Sequence, residues 1–321
     1  MDRSLDSKVL MFIFKNSNHT STTYSNGHRV INEKRVRYLS IIQTQTWLYQ
    51  FVENCEKQPG KSPYSIHCDI ICRPLLKFFP EMRPEEVQYE LLCHGLFDPD
   101  EWVNLKNTVK EMEGNNLWQT VDQEYQLLRN LWKGPKVSIF LFPIKKEGFE
   151  ESEQIPNKNG VTYNGVLFLF LSADISVEEI KALLAHEYNH VCRLTYLGLD
   201  FDKIPLKDSL IIEGLGEYAV KDLYGEKWLA PWTNLYSFQE TIEIWNQHFI
   251  HSLNLLGTKN HHLFLYGKVR SQFPKWIGYQ IGYQIVDSFQ KRHGPFNSNE
   301  LYCKSSEEII AGSDFTTNKL F

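Results

Sequence analysis

Apolar residues recur along residues 46–132 at intervals of three and four, the spacing of helices that bury one stripe. This segment is therefore expected to be mostly helical. Asp98-Pro99-Asp100-Glu101 predicts a helix start, with an Asp cap and an acidic first turn. Gly114-Asn115-Asn116 breaks the pattern, and a further helix is expected over about residues 118–132. The period then changes. Residues 137–144 (VSIFLFPI) and 166–171 (VLFLFL) are short, nearly continuous apolar runs, which predict strands. A turn-rich stretch over residues 156–160 lies between them. Beyond Ile175 the pattern is helical with loops. The expected fold class is α+β and mainly helical, with a small sheet. Three stretches are expected: a poorly defined N-terminal segment over 1–40, a helical part over 41–135, and a part over 136–321 that carries the sheet. No repeat or strong linker separates the last two, so they are expected to form a single unit.

One helix is specified at both ends. Ser176-Val177-Glu178-Glu179 is a capping box, Ile175 and Ile180 occupy the positions of a hydrophobic staple, and Gly198 is a natural stop. The helix is expected over residues 177–197, with Ile180, Leu184, Val191 and Leu194 packing inward.

Composition narrows the class. The chain has 321 residues, 42% hydrophobic and 23% charged, with a net charge of −5. Those values are ordinary for a globular protein and argue against a general nucleic-acid partner, which would favour a basic excess. No stretch approaches the ~20 apolar residues of a membrane span. The apolar run over residues 9–14 is too short for a secretory leader, which needs roughly 7–15 apolar residues and a cleavage site. Residues 15–35 are polar and expected to be mobile. A cytoplasmic location is expected, with the six cysteines as reduced thiols.

The chemistry lies on the well-specified helix. His186-Glu187-Tyr188-Asn189-His190 reads H-E-x-x-H. Two histidines four apart leave the same helical face, one turn apart, and the intervening glutamate can reach a water on a metal held between them. Ionisable groups on a largely buried helix are costly unless paired or metal-bound. A third ligand is offered by Glu213-Gly214-Leu215-Gly216-Glu217, which begins 23 residues after His190 on the next expected helix. Asp208 or Ser209 is expected to cap that helix and Gly225 to end it. Glu213 and Glu217 share a face, so one can ligate while the other orients a ligand histidine. Gly214 and Gly216 each cost about 1 kcal/mol relative to Ala inside a helix. That cost predicts a close approach, with the histidine helix as the expected neighbour.

H-E-x-x-H followed at this distance by E-G-x-x-E resembles the gluzincins, the thermolysin and aminopeptidase group of zinc peptidases. The chain also resembles the YjaZ-like family of predicted zinc-dependent proteases. The similar segments are TWLYQFVENC (46–55), WKGPKVSIFLFPI (132–144), LFLFLSADISVEEIKALLAHEYNHVCRL (167–194), EGLGEYAV (213–220) and WIGYQIGYQIV (276–286). The resemblance runs over most of residues 45–290. The resemblance implies a zincin-like metallopeptidase core with the small sheet packed on the active-site helix. It implies one Zn2+ per chain on His186, His190 and Glu213, with Glu217 supporting a histidine. Glu187 would then be the general base, and a peptide or protein would be the substrate. Tyr279, in Tyr279-Gln280-Ile281-Gly282, looks like the Y-x-x-G segment whose hydroxyl faces the substrate oxygen. Tyr283, on the same helical face, is the alternative, and His261, His262 and Tyr266 could also approach. The run over 166–171 resembles the cleft-edge strand that pairs with an extended substrate. Its continuous apolar character fits an interior strand equally well.

Other constellations carry less. His67, Cys68, Cys72, Cys93 and His94 lack a standard Cys-x-x-Cys spacing and are expected to be packed side chains. Cys192 is expected in the core, and His293-Gly294-Pro295 at a helix end. The leading function is zinc-dependent peptide hydrolysis. The alternatives are a non-peptidase zinc hydrolase and a non-catalytic regulatory or binding protein on the same scaffold. The last is disfavoured because Glu187, which folding does not need, is present.

Overall fold

The helical stretch resolves into α1 (Gln45–Lys57), α2 (Pro63–His67), α3 (Pro84–Cys93), α4 (Trp102–Gly114) and α5 (Leu117–Trp132). A computed structural model describes residues 40–146, 157–163, 165–268, 271–297 and 300–315. The apolar run over 9–14 and the polar stretch over 15–35 lie outside the described residues. Asp98 caps as expected, accepting from Asp100 N at 3.0 Å, but the turn it starts is 3-10 before α4 begins. α4 ends at Gly114 and Asn116 adopts φ 57°, so the Gly-Asn-Asn break falls where the sequence put it.

Three strands form the sheet: β1 (Ser138–Pro143), β2 (Lys158–Tyr163) and β3 (Val166–Leu171), in the order β1-β3-β2. β1 runs parallel to β3, from Ser138 opposite Val166 to Pro143 opposite Leu171. β2 is antiparallel to β3, with Tyr163 opposite Val166 and Lys158 opposite Leu171. Two expectations are corrected here. Part of the stretch over 156–160 is a strand and not a turn. β3, the run over 166–171, is the central strand with all six residues buried, so it is not a cleft edge. The edge is β2, which pairs only with β3 among the described residues. The outer edge of β1 is met by Ser40–Ile42, through Ile139 N to Ser40 O at 2.8 Å and Ile42 N to Ile139 O at 2.9 Å.

After the sheet come α6 (Val177–Leu197), α7 (Leu206–Tyr224), α8 (Phe238–Ile244), α9 (Thr258–Tyr266), α10 (Ile277–His293), α11 (Glu300–Cys303) and α12 (Ser306–Ala311). The bounds of α6 match the sequence reading. Its capping box is formed, with Glu179 N donating to Ser176 Oγ at 3.3 Å and Ser176 N donating to Glu179 Oε2 at 3.2 Å. Gly198 closes it at φ 58° in the left-handed region that glycine tolerates. α7 ends at Gly225 as expected, but starts earlier than Asp208 or Ser209 would dictate. Pro205 stands at its cap without a side-chain bond, and the first N–H groups find distant carbonyls: Leu206 N to Leu255 O at 2.9 Å and Lys207 N to Leu253 O at 3.0 Å. Asp208 instead meets Ser306 Oγ and, at 3.4 Å, the guanidinium of fully buried Arg193. Arg193 also donates to the carbonyls of Tyr302 and Lys304 at 3.0 and 2.6 Å, which fastens the C-terminal helices to α6.

One buried cluster runs from Ile41 to Phe315 and joins the early helices to the sheet and the later helices. α7 lies between α6 and α10. The two glycines of α7 divide its contacts. Gly216 faces the histidines of α6, as expected. Gly214 faces α10 instead: a Cβ there would lie 2.1 Å from Gly282 O, and one on Gly282 would lie 2.2 Å from Leu210 O. Gly214→Ala is expected to destabilise the fold by about 1–3 kcal/mol, because overpacking at a backbone contact exceeds the ~1 kcal/mol helix-propensity gain. Denaturant unfolding checks this; a variant as stable as the parent would show that α7 and α10 can separate freely.

Candidate metal centre

α6 presents His186, Glu187 and His190 on its face toward β2 and α7, each under 9% exposed. The imidazole rings lie 4.4 Å apart at 74°. Ligand-type atoms of these three residues fall within 4.8 Å of one another. α7 brings two carboxylates to the same place. Glu213 Oε2 stands 3.4 Å from His186 Nε2 and 3.3 Å from His190 Nε2. Glu217 Oε1 meets the other nitrogen of His186, Nδ1, at 3.0 Å. Glu217 Oε2 accepts from Ala230 N at 3.0 Å, which fixes that carboxylate in turn.

The distances discriminate between the carboxylates. The 3.0 Å contact of Glu217 has the length of a hydrogen bond that orients a ring. Ligand atoms ~2.0–2.1 Å from a tetrahedral zinc stand about 3.3–3.4 Å apart, whereas a charge-assisted hydrogen bond is nearer 2.7–2.9 Å. The separations at Glu213, 3.4 and 3.3 Å, are longer than that and would leave room for a cation between the three atoms. Two imidazole nitrogens and one carboxylate oxygen converging this way fit zinc. Gly216 makes room for them: a Cβ there would lie 3.0 Å from both His186 Cε1 and His190 Cε1.

Electrostatics agree that the cluster favours a cation. Burial opposes charge on His186, yet the carboxylates of Glu213 and Glu217 beside it outweigh that cost and raise its pKa well above the ordinary imidazole value. Burial likewise opposes ionisation of Glu213, but the two imidazoles hold its carboxyl down at about 2.

Glu187 is treated differently. Its Oε2 accepts from Thr162 Oγ1 at 2.8 Å, and its backbone carbonyl accepts from the same hydroxyl at 3.1 Å. Alternation along β2 turns Lys158, Gly160 and Thr162 toward α6. At Gly160 a Cβ would lie 2.5 Å from Glu187 Cγ, so only glycine lets that side chain pass between strand and helix. Gly160 and Thr162 were not anticipated. A usable clue was present: Asn164-Gly165 is the dipeptide of a two-residue hairpin loop, and it separates two β-forming stretches.

The tyrosine candidates separate. Tyr279 OH donates to Tyr266 OH at 3.0 Å. Burial raises the pKa of both phenols, and the charges of Glu213 and Glu187 raise them further; Tyr279 also packs on Trp232, two residues from the Ala230 N–H that Glu217 holds. Tyr283, one turn on, is raised to about 12 by burial and by Asp287, and interacts with Lys221; it belongs to a different neighbourhood. His261 is fully buried and uses both nitrogens elsewhere, on Ser209 Oγ and Leu255 O at 2.8 Å each. His262 packs on Tyr266, with ring centres 4.8 Å apart. His67 Nδ1 meets Gln88 Nε2 at 2.9 Å between Phe51 and Phe97, and His94 Nε2 meets Glu90 at 3.3 Å.

Among the described residues no helix is long and apolar enough to cross a membrane. No solved structure matches the chain significantly. The protein YjaZ of Bacillus subtilis (strain 168), named there as uncharacterized, is 29% identical over 257 residues, covering 78% of this chain and 91% of its own. YjfC of the same organism, also named as uncharacterized, is 25% identical over 129 residues, 37% of this chain and 42% of its own. The model of a family described as "Predicted Zn-dependent protease (DUF2268)" matches residues 117–311. That match exceeds half the chain and takes in α5 through α12, with every histidine and carboxylate of the cluster; the chain belongs to this family of predicted Zn-dependent proteases.

Proposed function

We propose that the protein is a gluzincin-type metallopeptidase with a zincin-like core and one Zn2+ per chain. His186, His190 and Glu213 hold the ion and Glu217 orients His186. The observation that carries this reading is the placement of Glu213 Oε2 at 3.4 and 3.3 Å from the two Nε2 atoms. When bound, zinc supplies Lewis acidity toward a water and the scissile carbonyl. Glu187 accepts the proton of the attacking water and passes it to the departing amine. Thr162 keeps its carboxylate aimed. Tyr279, backed by Tyr266, donates to the carbonyl oxygen as negative charge develops there. The outer edge of β2 offers backbone N–H and C=O groups to an extended peptide, the role the sequence resemblance had placed on 166–171.

The test is digestion of a peptide library by the purified, zinc-loaded chain, read by mass spectrometry. Cleavage that a chelator stops and added zinc restores is expected. A zinc-replete protein that cleaves nothing would overturn the proposal. A narrower expectation concerns Thr162. Hydrogen bonds to charged groups contribute about 1.5–3 kcal/mol, so Thr162→Val is expected to lower kcat by tenfold or more with zinc content unaltered. Thr162→Ser, which keeps the hydroxyl, should recover most of the loss. Equal rates for Val and Ser would show that the hydroxyl does not position Glu187.

A further inference from the structure

Beside the cluster stands an aromatic wall. Tyr279 is flanked by Trp232 at 5.5 Å and Trp276 at 5.2 Å, both edge-on, and by Tyr266 at 5.3 Å. The two indoles stack on one another at 5.1 Å and 28°. Tyr279 is buried, whereas Trp232, Trp276 and Tyr266 are each partly exposed.

Two features show that this wall is held in place. Residues 229–236, which carry Trp232, are clamped by buried polar groups at both ends. Glu217 takes Ala230 N at 3.0 Å. Fully buried Gln280 takes Leu235 N and Tyr236 N at 2.9 Å each and donates to Tyr236 O at 2.6 Å. Trp276 sits at φ 64°, ψ 17°, a left-handed conformation that is costly for a bulky side chain and that concentrates at functional positions. In addition, Trp232 Nε1 is buried without a hydrogen-bond partner among the described residues.

We infer that this wall binds an aromatic side chain of the peptide substrate, at a residue flanking the scissile bond. The inference rests on the proteolytic reading and narrows its substrate class. The nearby carboxylates are engaged elsewhere, Glu213 with both histidines, Glu217 with His186 and Ala230 N, and Glu187 with Thr162, so the surface the wall presents is ring face. Exposed ring surface offers an aromatic group offset stacking and edge contacts.

The zinc-loaded full chain is compared with Trp232→Ala and Trp276→Gly in the library digest. Glycine suits the left-handed backbone at 276, so that variant keeps the test open if the first fails to fold. Binding of phenylalanine hydroxamate against alanine hydroxamate gives a readout independent of turnover. Phe, Tyr and Trp are expected to be enriched on one side of the cleaved bond. The parent is expected to bind the phenylalanine compound at least about tenfold more tightly, the scale of a bulky apolar contact, with both preferences falling about tenfold in the variants. Cleavage without aromatic enrichment, enrichment that survives in folded variants, or equal hydroxamate affinities in the parent would overturn this inference and leave the proteolytic reading standing. A parent that cleaves nothing overturns both.

Discussion

Glu187→Gln is expected to lower kcat for peptide hydrolysis by about 10²–10⁴-fold, the range of general acid–base contributions, while zinc content and folding stay as in the parent. The amide has nearly the volume of the carboxylate, so it fits the gap that Gly160 leaves, where a Cβ would stand 2.5 Å from Glu187 Cγ. Its oxygen can still accept from Thr162 Oγ1, now at 2.8 Å from Oε2. What it lacks is a site basic enough to take a proton from water. Steady-state kinetics on a peptide found in the library, with metal content measured on the same preparation, separates chemistry from structure. Parent-like cleavage by the variant would remove Glu187 from the mechanism. Loss of zinc together with activity would make it a ligand instead.

What could be read from the sequence was what is determined locally. The span of α6 depends on Ser176, Glu179 and Gly198, all within one turn of its ends, and these residues act as their types predict. The side-by-side placement of His186 and His190 needs only the helical repeat. α7 began elsewhere than expected because its first N–H groups are met by the carbonyls of Leu253 and Leu255, about fifty residues away, which no capping pattern encodes. Gly214 faces α10 and not α6 because two helices cross at Gly282, a contact between positions 68 residues apart in number (282 − 214). The same crossing gives two tyrosines that share a helical face different surroundings: Glu213 acts on Tyr279, in the turn before Gly282, and Lys221 and Asp287 act on Tyr283. β2 was missed for another reason. Its Asn159-Gly160 looks like a turn, yet at Gly160 the Glu187 side chain fills the space a Cβ would take.

Glu213→Gln is expected to weaken zinc binding by at least about 100-fold, more than the 10–100-fold typical of losing an outer-shell partner, and Glu217→Gln to fall within that smaller range. Glu187→Gln should leave affinity near the parent value, which gives an ordering of three isosteric changes on two facing helices. The physical basis is the distinct geometry of each carboxylate: Glu213 Oε2 faces both Nε2 atoms, Glu217 reaches only the remote Nδ1 of His186, and Glu187 is turned to Thr162. Protons enter the same equilibrium. Glu213 and Glu217 raise the pKa of metal-free His186, so a proton competes for the nitrogen that zinc requires, and affinity should fall as pH falls. Removing either carboxylate lowers that proton affinity, so both variants should show a shallower pH dependence as well as weaker binding. Competition titration against a chelator over a pH series measures both quantities. Equal affinities for all three variants and the parent would sink the ligand assignment. A loss confined to Glu217→Gln would exchange the roles of the two α7 carboxylates and leave Glu213 as a neighbour of the ion and not its third ligand.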